Sequence, residues 1–230
     1  MPFVDAGPRR IEYAVVKGAS RRYTYFRFRP DMTLEVILPR GRKVDVHEEL
    51  KARLEWIERE SERLARSRSV LGPDEVMFGG VMLKVFFSQS SNEGLVPDLA
   101  NRELMIRATE RRRIRELVLR WFLKETSAYV VRKVSEFAPT LGMRPSRVDV
   151  REIGKWGYCT RGGRLSFSWQ LAALPERLRK YVVLHELIHL SEFNHSPAFH
   201  RKLRAVCPDF REREKELDSI VPYDRLAPAA

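Results

Sequence analysis

The sequence predicts an α+β fold, with a β-rich N-terminal region carrying one helix ahead of a region built from a long helix, a small sheet and a further helix. Three observations carry this. Before residue 109, apolar residues alternate with polar ones in short runs. After it, they recur at helical spacing over a long stretch. Near the C-terminus, four of the chain's five histidines fall in the sixteen residues HELIHLSEFNHSPAFH, from His185 to His200.

The first elements read as strands. RIEYAVV alternates Ile11, Tyr13 and Val15 with polar neighbours, RRYTYFRFRP is aromatic-rich and stops at Pro30, and TLEVILP alternates through Leu34, Val36 and Leu38. Such runs, broken by turn residues, predict a small antiparallel meander. From Asp45 the period changes: Val46, Leu50, Leu54, Ile57 and Leu64 share one face of a helix spanning roughly 45–66. VMFGGVMLKVFF reads as two strands around Gly79-Gly80, SQSSNEGLVP as a loop and ELMIRA as one more strand. The division into an N-terminal region, 1–108, and a C-terminal domain, 109–230, is placed here. A helix follows from about Glu110 to Phe137, with Ile114, Leu117, Val118, Trp121, Phe122 and Tyr129 as its apolar stripe, ended by Pro139, Gly142 and Pro145. RVDVREI and RLSFSW are strand-like, separated by the loop GKWGYCTRGG, and Pro175 stands in the first turn of the helix that carries His185 and His189. The sequence shows no internal repeat.

Composition narrows the classes. A length of 230 residues with 43% hydrophobic and 32% charged residues fits a globular protein with a sizeable core. The N-terminus MPFVDAGPRRIEY lacks the apolar core of a secretory signal, and no apolar run approaches the roughly 20 residues of a membrane span, so a cytoplasmic protein with no membrane partner is expected. Cys159 and Cys207 form no CxxC pair and read as reduced thiols. Lys and Arg total 43 against 31 Asp and Glu, a formal charge of +12 spread over the whole chain, which favours nucleic acid or other polyanions as contacts without identifying one. Only three Asn and two Gln occur, while Arg and Glu are plentiful, a heat-adapted composition.

HELIH is an HExxH motif. At i and i+4, His185 and His189 project from one helical face and can take neighbouring corners of a zinc tetrahedron. Glu186, offset by roughly 100° around the helix, is poorly placed to share the ion but can reach a water that the ion holds. A site that keeps one position open for water needs a third protein ligand. His195 is six residues beyond His189, and an unbroken helix would carry it about 9 Å further along the axis, so the helix must end and turn back. Asn194 suits a left-handed helix end, and Ser196-Pro197 reads as an N-cap followed by proline in the first turn of a new helix. Glu192, at i+3 from His189, is the rival third ligand. His200 is expected outside the ligand set, as a group that faces the site from the next helix or is simply exposed. Three histidines fill the protein positions of one Zn2+ ion, so Cys159 is not expected as ligand or nucleophile; other divalent transition metals are left open by this ligand set.

At these residues a family resemblance emerges. The stretch from Lys155 to Leu217 resembles the YgjP-like metallopeptidases: KWGYC is similar to that family's R-W-G-S-C element, LSFSWQLAALPERLRKYVVLHELIHLSEFNHSPAFH follows its strand, proline, HELAHL and NHS order, and CPDFREREKEL is similar to its tail. The N-terminal strands and LEWIERE also look like the family's leading region. The resemblance implies a zincin-like catalytic domain, with His185, His189 and His195 as ligands and Glu186 as the catalytic carboxylate. Lys155, Tyr158 and His200 stand where arginine, serine and tryptophan are common in the family, which leaves substrate contacts of the loop before Cys159 open. SprT-like proteases are similar more loosely, in the HExxH helix and a downstream histidine.

The leading expectation is a zinc-dependent hydrolase, a metallopeptidase in which Glu186 activates water. Tyr158 is a candidate second oxyanion donor. Trp156 is expected to pack as core under the metal helix, with lining of the substrate cleft as the alternative. RLSFSW is expected to be a fully paired strand, with an open edge that takes an extended peptide as the alternative. Two other functions compete. One is a nucleotide phosphoanhydride hydrolase, favoured by the positive charge but lacking a Gly-rich phosphate loop. The other is a nucleic-acid-binding module with structural zinc, closed by Cys159, Cys207 or His200 as a fourth ligand.

Overall fold

In a computed structural model, which describes residues 2–19, 23–29, 32–41, 43–66, 68–69 and 74–221, the strands predicted before residue 109 form two four-stranded sheets and no meander. In the first, β1 (Phe3–Ala6), β2 (Arg9–Ala19), β3 (Tyr25–Phe28) and β4 (Leu34–Pro39) lie in the order β1-β2-β4-β3. Two hairpins join through their second strands: β1–β2 and β3–β4 are antiparallel, while β2 and β4 run parallel, with Tyr13 opposite Leu34. Alternation predicts a strand but is the same for both pairing senses, which is why the sequence suggested a meander. All six residues of β4 are buried, including Glu35, whose carboxylate lies between the guanidinium groups of Arg27 at 2.5 Å and Arg29 at 2.6 Å. The helix expected over 45–66 is two: α1 (Val46–Lys51), capped by Asp45, and α2 (Leu54–Arg66). Between them the Arg53 amide bonds the Leu50 carbonyl, a tightened turn that resets the phase. The predicted stripe residues Leu50, Ile57 and Leu64 are buried.

After β5 (Arg68–Ser69), the second sheet repeats the first. β6 (Glu75–Phe78), β7 (Val81–Gln89), β8 (Gly94–Asp98) and β9 (Glu103–Ala108) have the order β6-β7-β9-β8 and the same antiparallel, parallel, antiparallel pattern. The registers correspond: Phe3 opposes Glu12 as Glu75 opposes Lys84, and Tyr13 opposes Leu34 as Val85 opposes Leu104. A non-glycine residue with positive φ precedes the last strand of each hairpin pair, Met32 at 67° and Arg102 at 56°. This repeat of topology is invisible in the residues because pairing needs only alternation and turns, which different side chains supply. The predicted loop SQSSNEGLVP is a loop only over residues 90–93; its ends belong to β7 and β8. Pro97 is tolerated because β8 is the sheet's edge.

The long helix, α3 (Ile114–Thr140), runs past Pro139. Met143 donates to the Ala138 carbonyl and Gly142, with φ 64°, to the Pro139 carbonyl, so of the three residues expected to end the helix it is Gly142 that caps it. β10 (Arg147–Arg151), β11 (Gly157–Cys159) and β12 (Arg164–Ser168) form a three-stranded sheet in the order β10-β12-β11. A 3-10 turn over Trp169–Ala173 leads to α4 (Glu176–Ile188), followed by α5 (Pro197–Val206), α6 (Phe210–Asp218) and β13 (Ile220–Val221). Pro175 is the N-cap of α4, one place earlier than predicted.

The chain divides into two compact units, one built on residues up to Arg68 and the other on Ser69–Pro222. The boundary expected at 108 falls inside the second unit. The turn of β6–β7 is held there: the Gly79 and Gly80 amides bond the Ala172 and Ala173 carbonyls at 2.9 and 2.7 Å, and Phe78 stacks on Trp121 of α3 at 4.3 Å. Thr126 of α3, fully buried, donates to the Trp169 carbonyl at 2.7 Å and accepts from the Ala172 amide at 3.1 Å. Among the described residues no helix is long and apolar enough to cross a membrane.

Candidate metal centre

The second half of α4 buries Tyr181, Val182, Val183, Leu184, Leu187 and Ile188, as a helix segment enclosed by its own fold must, while Glu176 and Arg177 at its start are exposed. His185 and Glu186 stand in its last turn and His189 is its C-cap. The chain turns there, not at Asn194 as expected. The Leu190 and Ser191 amides bond carbonyls three residues back, and His189 Nδ1 donates to the Glu192 carbonyl at 2.8 Å. Asn194 is exposed and lacks positive φ; its carbonyl accepts from the Ser196 amide at 2.7 Å. Ser196 caps α5 by accepting from the Phe199 amide at 3.2 Å, with Pro197 in the first turn, as the sequence predicts.

The result brings His195 back to the helix. His185 Nε2 lies 3.1 Å from His189 Nε2 and 3.0 Å from His195 Nε2, and all three ligand atoms fall within 4.8 Å of one another. Nitrogens at neighbouring corners of a zinc tetrahedron stand about 3.3 Å apart. Nδ1 of His189 donates to a carbonyl, which leaves the lone pair of its Nε2 facing the common centre, and Nδ1 of His185 lies 3.4 Å from the Tyr181 hydroxyl. Burial, then the neighbouring imidazoles, push the His185 pKa down to about 3, which keeps it neutral as a ligand must be. Lone pairs converging in this way suit a divalent cation, so the residues fit the metal that the motif implies.

Phe199, 1% exposed, packs against all three rings at centroid distances of 4.7–5.0 Å. Glu186 is 6% exposed, its Oε2 has no hydrogen-bond partner, and burial, opposed by Lys155, pushes its pKa up to about 8. Gly157 of β11 lies so close that a Cβ there would stand 2.8 Å from Glu186 Cγ. Sequence reasoning missed Gly157, Tyr181 and Phe199. Only Tyr181 left a signal, its place one turn before His185.

The other expected residues divide. Glu192, the rival ligand, turns its carboxylate to Lys202 at 2.8 Å and contributes its carbonyl instead. His200 lies outside the ligand group: its Nδ1 donates to the Ser196 carbonyl at 3.0 Å and its ring is 6.4 Å from that of His195. Trp156 is half-buried and lines a cavity with His185 and Glu186, so it belongs to the cleft rather than to the core. On β11, Gly157 faces Glu186 of α4, and Tyr158 follows it on the alternate side of the pleat. Cys159 and Cys207 are free thiols outside the ligand group, their pKa values pushed up to about 11 chiefly by burial. β12 is paired on both sides, as expected for RLSFSW, and β11 is the sheet edge beside the helix.

No curated protein matches the chain. Among solved structures, the crystal structure of the metallopeptidase zymogen of Pyrococcus abyssi abylysin is similar, with 23% identity and a TM-score of 0.36 over 38% of this chain and 90% of that one. A family model described as the YgjP-like metallopeptidase domain matches residues 22–220. With β3 and β4 of the first strand-rich repeat, the whole of the second and the whole histidine segment inside that match, the chain belongs to the YgjP-like metallopeptidase family.

Proposed function

We propose that the protein is a zinc-dependent peptidase of zincin type, in which His185, His189 and His195 hold one Zn2+ ion and Glu186 is the general base. The observation that carries this is the convergence of the three Nε2 atoms next to a buried carboxylate with an unpartnered oxygen. A zinc ion held there supplies a Lewis acid and acidifies water. Glu186 takes the proton of the attacking water at its carboxylate and returns it to the leaving amine. Its raised pKa suits both halves of that transfer. Tyr181 and the Glu192 carbonyl fix the rings of His185 and His189. An extended peptide pairs with the free edge of β11, which brings its carbonyl past Glu186. A structural-zinc reading needs a fourth protein ligand, and Cys159, Cys207 and His200 stand outside the cluster.

One observation favours the phosphoanhydride reading: Arg201, Arg204 and Arg211 line a groove with His200, a surface suited to an anion. The same basic surface is proposed to hold polyanions through salt-sensitive contacts.

The test is metal analysis and hydrolysis together. The protein is expected to bind about one equivalent of zinc and to cleave casein until a chelator is added. His195→Ala is expected to lose zinc affinity by about 10-fold or more, while Glu186→Gln keeps the ion and loses cleavage. Phosphate release from nucleoside triphosphates without casein cleavage selects the other substrate class, and any hydrolysis that survives Glu186→Gln overturns the base assignment.

A further inference from the structure

His185 and Glu186 open onto a cavity of about 200 Å3 whose far walls come from α6 and from the segment before β11. Trp156, Val182 and Leu217 give it apolar sides, and Glu214 and Asp218 add two carboxylates. In a chain of net charge +12 this is an unusual lining. Among the described residues no cation pairs with Glu214, which is exposed, whereas Glu216 of the same helix pairs with Arg177. Glu214 is near enough for its charge to act on the Tyr181 hydroxyl. The buried, unpartnered oxygen of Glu186 belongs to a residue of the same cavity, so the recess and the reacting centre are continuous.

Apolar sides with a negative charge at hand are complementary to a side chain with a long aliphatic stem and a cationic head. The Trp156 ring adds a face on which such a head can rest. We propose that this recess is a specificity pocket that receives an arginine or lysine side chain next to the scissile bond, with Glu214 as the charge that recognises it. This rests on the peptidase reading. It adds the substrate class: peptides cut beside a basic residue. Asp218 lines the same recess.

A peptide set varied on both sides of a central bond, cut by the zinc-loaded protein and read by mass spectrometry, gives kcat/KM at each position. Arginine or lysine is expected to exceed leucine at one flanking position. In Glu214→Gln that ratio is expected to fall about 10-fold or more, the scale of a lost charge-assisted contact. Glu214→Lys is expected to favour aspartate or glutamate at the same position, a gain that poor folding cannot produce. A second arm uses Glu186→Gln protein and fluorescence anisotropy: an arginyl peptide binds more tightly than its leucyl twin, and the difference disappears when Glu214→Gln is added. An absent basic preference, or one untouched by Glu214→Gln, overturns the pocket. Tighter arginyl binding without cleavage by the wild type supports the pocket and overturns the peptidase reading; neither binding preference nor cleavage overturns both.

Discussion

At the scale of residues, spacing marked the three histidines that converge and left their supports unmarked. His185 and His189 share a face at i and i+4, and the open corner of a zinc site called for His195. Gly157 is 29 residues before Glu186, and nothing local shows that its missing Cβ makes room for that carboxylate. Gly157→Ala is therefore expected to displace Glu186, cutting hydrolysis about 10-fold or more at unchanged zinc content, with a stability loss of roughly 1–3 kcal/mol. Unaltered kcat/KM in that variant, measured beside metal analysis, refutes the close-approach argument. Glu35 gives a pH prediction. Burial raises its pKa, but the hydrogen bonds and charges of Arg27 and Arg29 outweigh that and hold it below the usual 4.5. A folded-state value below the unfolded one contributes stability that is complete above the unfolded pKa and is lost as pH falls through the folded one. Urea midpoints of wild type and Glu35→Gln are expected to differ at neutral pH, with wild type ahead by about 1–3 kcal/mol, and to converge below about pH 4.

At the scale of elements, type was legible and pairing was not. Period-2 and period-3.6 patterns located β2, β4, β9 and α3, because burial on one face leaves its period in the residues. Whether β2 meets β4 in parallel depends on which hairpin edges meet, a choice that alternation does not record. The end of α4 shows the same limit. Asn194 had the right residue type for a helix end, yet the bond from His189 to the Glu192 carbonyl turns the chain several residues earlier. Thr126 is the polar joint between α3 and the turn that leads to α4. Thr126→Val removes its hydroxyl and leaves the Trp169 carbonyl and Ala172 amide buried without that partner. The expected cost is roughly 2–5 kcal/mol in urea unfolding, with most of it recovered in Thr126→Ser.

At the scale of the whole molecule, charge is organised into networks. Arg113 and Arg120 bridge Glu93 and Glu116, and Asp149 is shared by Arg147, Arg151 and Arg164. Such networks gain weight at high temperature, where charged groups lose less hydration free energy on pairing. With only three Asn and two Gln in the chain, a melting temperature above about 65 °C is expected by calorimetry, and one inside the ordinary range of about 45–65 °C contradicts this.

The sequence by itself determined which residues gather: His185, Glu186, His189 and His195, to which the ligand and base roles are proposed here, are set by spacing along one short stretch, where local geometry suffices. Tertiary structure alone decided what surrounds them. It sets Gly157 against Glu186, seats Phe199 against the three imidazoles, leaves β11 at an edge of its sheet and brings Glu214 to the recess beside Trp156. Most of these pairings join residues distant in the chain, whose meeting is fixed by how helices and sheets pack rather than by any local period.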